Sequence, residues 1–268
     1  IFLNPEIPSA IEVSLYDIDA TRLEDSRRIV ELLDERYNDR SATVSCHLGR
    51  DARREALRGA DFVVNTIQVG GYKPATVTDF EIPKRYGLQQ TIGDTLGIGG
   101  IFRGLRTIPV VLDIAAEIEQ VAPRAIFLNY TNPMAIVTGA LQRASSIASV
   151  GLCHSVQVCA PNLLQNLGIH AEALRWKIAG INHMAWLLEI RDGEVDLYPE
   201  IKRRAFEKNR RARADASERH DDMVRYEIMR LFGYYVTESS EHNAEYTPYW
   251  IKSAFPHLVE ELNIPLDE

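Results

Sequence analysis

The chain has 268 residues, 46% of them hydrophobic and 25% charged, with a formal net charge of -8. That length and apolar content supply a sizeable core, in one large domain or two of ordinary size. The negative balance disfavours nucleic acid as a partner, because nonspecific phosphate binding depends on clustered Lys and Arg.

Taken in chain order, the first half alternates short β-branched runs with helical patterns, the signature of a parallel sheet wound with helices on both faces. "IEVSLYDID" (11–19) reads as a strand. Residues 21–37 carry Leu23, Ile29, Val30, Leu32 and Leu33 among charges, an amphipathic helix opened near Thr21. Further strands are expected at 42–48, 61–67, 125–130 and 147–153, with helices over about 105–121 and after Asn132-Pro133. Between them, "GDTLGIGGIFRG" (93–104) reads as a flexible connection whose glycines allow close backbone approach, ending near a helix start. Beyond Val158 the texture changes. Residues 175–195 predict two longer strands around a turn, and 221–233 a helix ended by Gly233. The basic stretch at 202–215 interleaves acids and apolar residues and reads as a solvated helix or loop. The expected fold is therefore α/β, a Rossmann-like parallel-sheet domain over 1–157 followed by a second, α+β domain over 158–268. No stretch reaches the apolar length of a membrane span, and "IFLNPEIPSA" lacks the features of a signal peptide, so a soluble, cytoplasmic protein is expected.

Open parallel sheets bind ligands beyond the carboxyl ends of their strands, so residues there carry the functional reading. Asp17 closes a strand and Asp19 follows it, where a dinucleotide fold places an acid on the ribose hydroxyls. A strand-end turn acid is the plainer alternative for Asp17. The glycine fingerprint belongs about twenty residues earlier. Residues 1–10 contain no glycine, so the first strand and phosphate loop are expected to lie outside this sequence. Asn65, Asn129 and Asn132 end two other strands; turn chemistry alone accounts for an Asn before Pro. Three cysteines, Cys46, Cys153 and Cys159, have no regular spacing, against a disulfide framework and in keeping with free thiols. In "GLCHSVQ", Cys153 is either a buried filler or a thiolate ligand, and the stretch alone leaves both open.

Together, "YDID", "GDTLGIGGIFRGLRTIP", "NYTNPMA", "GLCHSVQ", "GINHMAWLLE" and "VTESSEHNAEYTP" resemble glycoside hydrolase family 4, the NAD- and manganese-dependent glycosidases, nearest its α-galactosidase branch. The resemblance spans nearly all of the chain, although members start before residue 1 and continue beyond Glu268. It implies that Cys153 and His183 hold a divalent metal, and that Asp17, Asp19 and Asn65 lie at NAD. Thiolate and imidazole alone would suit zinc, so manganese implies an oxygen-rich remainder of the shell. The family is an exception to two-carboxylate glycoside hydrolysis. It implies hydride transfer from sugar C3 to NAD+, removal of the acidified C2 proton, departure of the aglycone, addition of water and return of the hydride, with a Lewis acid at the developing negative charge.

For the C2 base the resemblance points to Tyr246, with His242 as the alternative; an aromatic wall of the sugar pocket is the plainer role for Tyr246. His154 stands where relatives carry a general acid and is read as a sugar contact with possible acid assistance. Asn132, Asp94, Glu238 and His242 are implied substrate contacts, with Asp94 alternatively behind the metal ligands and Glu241 a further candidate. Ile98 replaces a usual proline and Asn243 a usual aromatic, departures that bear on substrate choice. The implied partners are a small α-glycoside and a second copy of the chain, as a homodimer or homotetramer, with no membrane. Galactose, glucose, glucuronate and galacturonate are all used by such enzymes. The rival readings are an NAD-dependent hydroxy-acid dehydrogenase, which needs no metal pair, and a nonenzymatic sugar- or nucleotide-binding module.

Overall fold

A computed structural model describes residues 2, 4 and 6–266. Strand β1 (Glu12–Asp17) leads into helix α1 (Ala20–Tyr37), whose first backbone N–H groups, those of Thr21 and Arg22, are capped by the Asp19 side chain. Strand β2 (Thr43–Leu48) lies parallel to β1 with Glu12 opposite Thr43. Then come α2 (Arg53–Leu57), β3 (Phe62–Asn65), α3 (Val77–Arg85), α4 (Gly97–Val121), β4 (Ile126–Asn129), α5 (Met134–Ala144), β5 (Ala148–Gly151) and α6 (Ser155–Asn166). The later elements are β6 (Leu174–Ile181), β7 (Met184–Asp192), β8 (Val195–Asp196), α7 (Tyr198–Ala214), α8 (Met223–Phe232), β9 (Tyr235–Val236), α9 (Ser240–Tyr246) and α10 (His257–Glu261).

The chain divides into two compact units that interleave along the sequence. The first comprises residues 1–64, 111–128 and 141–150; the second comprises 65–110, 129–140 and 151–268. The β1–β2 ladder belongs to the first unit, whose buried apolar side chains include Leu23, Ile114, Ile118, Phe127 and Leu141. A second ladder has the order β3–β4–β5. Ile126 N donates to Asp61 O and Tyr130 N to Asn65 O, so the paired positions rise together and β3 and β4 are parallel. Their last residues, Asn65 and Asn129, and Gly151 at the end of β5, fall in the second unit.

The second unit is built on the antiparallel β6–β7 hairpin, extended by β8 and β9 along β7. Leu163 of α6, Leu187 and Ile190 of β7, Ile201 of α7 and Tyr226 and Met229 of α8 fill one core. Helix α8 ends at Gly233, which adopts φ 86° and donates its N–H to Met229 O, as the sequence signal requires. The basic stretch is the exposed side of α7, laced by Glu200–Arg203, Glu200–Arg204 and Glu207–Arg210 pairs. No helix among the described residues is long and apolar enough to cross a membrane.

The start of α4 differs from the sequence expectation. The glycine-rich connection was expected to continue to about residue 104, yet α4 begins at Gly97 and takes in Gly99, Gly100 and Gly104. The loop before it folds back onto the first helical turn. A Cβ on Gly99 would lie 2.5 Å from Gly93 O, and one on Gly100 2.5 Å from the carbonyl carbon of Thr95. The missing side chains make this approach possible, which outweighs a helix-propensity cost of about 1 kcal/mol per glycine. Helices α3, α6 and α9, absent from the sequence reading, bring residues 77–85, 155–166 and 240–246 into regular structure.

Candidate active site

Cys153 lies two residues past the end of β5, at the turn into α6, where the backbone of Leu152 is tied to Asn129 O. Its half-buried Sγ lies 3.2 Å from Ser155 Oγ. Ser155 Oγ in turn donates a short hydrogen bond to Glu238 Oε2. His183 occupies the turn between β6 and β7 with φ 59°, a left-handed conformation that a non-glycine residue adopts at a cost. The hairpin is tight, since a Cβ on Gly180 would sit 2.4 Å from Ala185 Cα. The strained turn presents the His183 ring, whose Nε2 is 3.2 Å from Glu238 Oε2 with the side chain 9% exposed. Ligand atoms of Cys153, His183 and Glu238 all lie within 4.8 Å of one another, and so do those of Asp94, His183 and His242.

Buried Arg225 fixes the approach to Glu238. Its guanidinium stacks 4.2 Å from the Tyr235 ring centroid, pairs with Asp222 at 3.0 Å, and donates to the carbonyls of Val236 at 3.1 Å and Thr237 at 3.3 Å. Glu238 is the next residue along the chain. It precedes Ser239, whose hydroxyl accepts from His242 N at the start of α9.

Asp94 is the second hub. Its Oδ2 accepts from Asn132 Nδ2 at 2.7 Å, and its Oδ1 accepts from Thr95 Oγ at 2.7 Å and from the Tyr246 hydroxyl at 3.2 Å. The same Thr95 oxygen lies 2.7 Å from His183 Nδ1. The His242 ring stands edge-on to His183 at 4.7 Å between centroids and lies 5.7 Å from that of Tyr246. The loop carrying Asp94 is held by Glu245, whose Oε2 accepts from the backbone N–H groups of Thr91, Ile92 and Gly93 at 2.7, 2.8 and 3.0 Å. Three successive amides around one carboxylate form an anion-binding concavity.

Burial opposes the Cys153 thiolate, yet hydrogen bonds from His183 and Ser155 outweigh it, and the thiol lies below its ordinary value. Burial likewise opposes the charged form of His183, but the thiol, Glu238 and Asp94 draw its pKa up. For His242 burial prevails over the nearby carboxylates and the imidazole is pushed down. Burial and the charge of Asp94 push the Tyr246 phenol well up, so that it is a hydrogen-bond donor here rather than a phenolate. Cys159, by contrast, is buried with its thiol pushed up to about 11 by desolvation, a packing residue.

Of the residues singled out in the sequence, the fold brings together Cys153, His183, Glu238, Asp94, Asn132, His242 and Tyr246. Glu241 contributes its backbone carbonyl, which accepts from Thr91 Oγ at 2.9 Å. Asn65 is buried and donates to Asn129 Oδ1 at 2.9 Å and Thr131 Oγ at 3.1 Å, cross-linking two strand ends. His154 is exposed and faces Tyr130, with ring centroids 6.0 Å apart, away from the hydrogen bonds of the cluster. In the first unit, Asp19 serves as the helix cap, while Asp17 is paired with Arg22 at 2.7 Å and held below the usual carboxylate range by it. Thr95, Ser155 and Glu245 were missed. Only adjacency to Asp94, Cys153 and Tyr246 could have drawn attention to them. Two cavities, of about 340 Å³ beside Tyr198 and Lys202 and about 210 Å³ beside Trp186 and Phe232, lie elsewhere. The converging ionisable groups, rather than the cavities, mark the candidate site.

A thiol poised towards thiolate, an imidazole and a carboxylate form a mixed sulfur, nitrogen and oxygen donor set that fits a divalent transition metal and leaves coordination positions for oxygen ligands. Fold and site thus define a Rossmann-like α/β protein with an α+β part that carries a candidate metal centre. Residues 1–169 match the model of the family 4 glycosyl hydrolases and residues 178–267 that of the C-terminal domain of the same family. The chain belongs to the family 4 glycosyl hydrolases. It is 58% identical over 266 residues to an alpha-galactosidase of Bacillus subtilis (strain 168), covering 99% of this chain and 59% of that one. Among solved structures, the putative glucosidase lplD from Bacillus subtilis matches with a TM-score of 0.77 at 26% identity, over 95% of this chain and 59% of that one. A 6-phospho-alpha-glucosidase from gut microorganisms, in complex with NAD and Mn2+, matches with a TM-score of 0.68 at 22% identity, over 94% and 58%, a likeness of fold alone. The chain spans about three fifths of the length of each of these proteins.

Proposed function

We propose that the protein is an NAD+- and Mn2+-dependent α-galactosidase that works by oxidation at sugar C3, deprotonation at C2, elimination of the aglycone and addition of water. The observation that carries this reading is the convergence of Cys153, His183 and Glu238 on one small volume, in a chain 58% identical to an alpha-galactosidase. Those three residues would hold the divalent ion, and Asp17, Asp19 and Asn65 are proposed contacts of the nucleotide. When bound, the ion and NAD+ supply a Lewis acid and a hydride acceptor.

The chain's own residues then orient the sugar and move its protons. Asn132 and Asp94, joined at 2.7 Å, are proposed to take sugar hydroxyls, with His242 beside them. Tyr246 is the proposed base for the C2 proton. Its phenol is too weak a base while it keeps its own hydrogen, but that hydrogen is directed at the Asp94 carboxylate 3.2 Å away. Transfer of the phenolic proton to Asp94 as the C2 proton reaches the phenolic oxygen balances the step and avoids a free phenolate. His154, exposed and next to Cys153, is proposed as a sugar contact that can assist protonation of the leaving oxygen.

The test is to incubate the protein with nitrophenyl α-galactoside, NAD+, Mn2+ and a thiol. Nitrophenolate release, with deuterium at C2 of galactose formed in heavy water, is the expected result. Net NADH accumulation with a hydroxy acid and no glycoside cleavage would refute the reading in favour of a dehydrogenase. Parallel rates on the α-glucoside, α-glucuronide and α-galacturonide rank the sugars, and a preference for another of these would replace galactose within the same mechanism.

A further inference from the structure

Thr95, 1% exposed, stands between a carboxylate and the imidazole of the proposed metal centre. Its hydroxyl has one hydrogen, two neighbours at 2.7 Å and a third, the Tyr246 hydroxyl. Asp94 Oδ1 is 2.7 Å away on one side and His183 Nδ1 2.7 Å on the other. An ionised carboxylate only accepts, so the hydrogen of Thr95 must point to Asp94; two oxygens at that distance with no proton between them would repel. Asp94 is in no position to reverse this, because its carboxylate oxygens already accept from Asn132 at 2.7 Å and from Tyr246 at 3.2 Å. The Thr95 oxygen is then left only as an acceptor towards His183, and Nδ1 must carry hydrogen, so that Nε2 is the nitrogen free to give up its own to an ion. The other nitrogen, Nε2, faces Glu238 at 3.2 Å within the cluster that includes Cys153.

Resting on the metal-site reading above, we propose that Thr95 is a positioning residue of the metal centre: by spending its hydrogen on Asp94 it sets His183 in the Nδ1–H tautomer and presents the Nε2 lone pair to the ion. The ring is thereby held by an ordered chain running from Asn132 and Tyr246 through Asp94 and Thr95. Removal of such an outer hydrogen bond from a ligating histidine weakens metal binding by about 10- to 100-fold.

The test uses Co2+ as the probe, with its thiolate charge-transfer absorption reporting occupancy independently of turnover. Thr95→Val removes the hydroxyl at nearly constant shape and is expected to weaken Co2+ binding by about 10- to 100-fold, while Thr95→Ser, which keeps the hydroxyl, binds as the native protein does. Equal Co2+ affinity in native protein and Thr95→Val overturns the proposal. Absence of the thiolate band in native protein refutes the metal centre itself, a different failure visible before any Thr95 variant is made. A measurement on native protein removes dependence on how the valine variant folds. In nitrogen-15-labelled protein loaded with cadmium-113, coupling of the metal to Nε2 of His183 is expected, and coupling to Nδ1 refutes the proposal.

Discussion

Glu245→Gln isolates the clamp on the Asp94 loop. The native carboxylate accepts three consecutive backbone N–H groups at 2.7 to 3.0 Å. Glutamine preserves the volume but removes the charge, and its amide nitrogen brings hydrogens towards donors. Hydrogen bonds to a charged group contribute about 1.5–3 kcal/mol each and neutral ones about 0.5–1.5. The difference, about 1 kcal/mol for each of the three amides, gives a destabilisation of about 2–4 kcal/mol once partial relaxation is allowed. For a protein of this size about 1 kcal/mol corresponds to a 2–4 °C change in melting temperature, so a fall of about 5–12 °C is expected. Thermal unfolding followed by circular dichroism reads it directly. Glu245→Asp, which keeps the charge but shortens the reach, should fall between the two. A Glu245→Gln melting temperature within 1 °C of the native value would refute the clamp.

Cys153→Ser should abolish turnover of nitrophenyl α-galactoside while the circular dichroism spectrum stays native; undiminished activity would remove Cys153 from the metal centre. Tyr246→Phe loses the long 3.2 Å bond to Asp94 and a contact with Thr95, so its melting temperature should move little, whereas turnover and C2 deuterium incorporation should both fall by about 100-fold or more. Retained incorporation would eliminate Tyr246 as the base. His220 supplies a pH test away from the site: burial holds its imidazole down to about 4, Nδ1 accepts from Asp222 N at 3.2 Å, and Nε2 is buried without a partner. Between its ordinary value and about 4 the unfolded chain binds a proton that the folded chain refuses, so stability is fully present above about pH 6.5 and lost as pH falls towards 4. Discounted for its partial exposure, the loss is about 1–2 kcal/mol, read as a shift of the urea midpoint between pH 7 and pH 5. His220→Phe should shrink that shift, and an identical shift in both proteins would argue against this origin.

Much of the scaffold is local and therefore legible in the sequence. Period-two apolar runs mark β1, β2 and the β6–β7 hairpin, and Gly233 ends α8 because a left-handed residue closes the helix there. The start of α4 was not legible. Glycine at 97, 99 and 100 reads as a flexible connection; the returning loop, with Gly93 O and Thr95 a prospective 2.5 Å from a Cβ, explains Gly99 and Gly100, and a φ of 68° explains Gly97. Family motifs picked out Cys153, His183, Asp94 and Tyr246 as candidates but were silent on Thr95, Ser155 and Glu245.

The sequence by itself determined which residues could do chemistry and which short stretches form strands and helices, since propensity, caps and apolar period act over a few neighbouring positions. The tertiary structure alone decided who meets whom. Ser155 reaches Glu238 across 83 positions, Thr95 reaches His183 across 88, and Thr91 reaches Glu245 across 154. Such contacts follow from chain topology, and the direction of each shared proton follows from counting donors and acceptors once those groups are side by side.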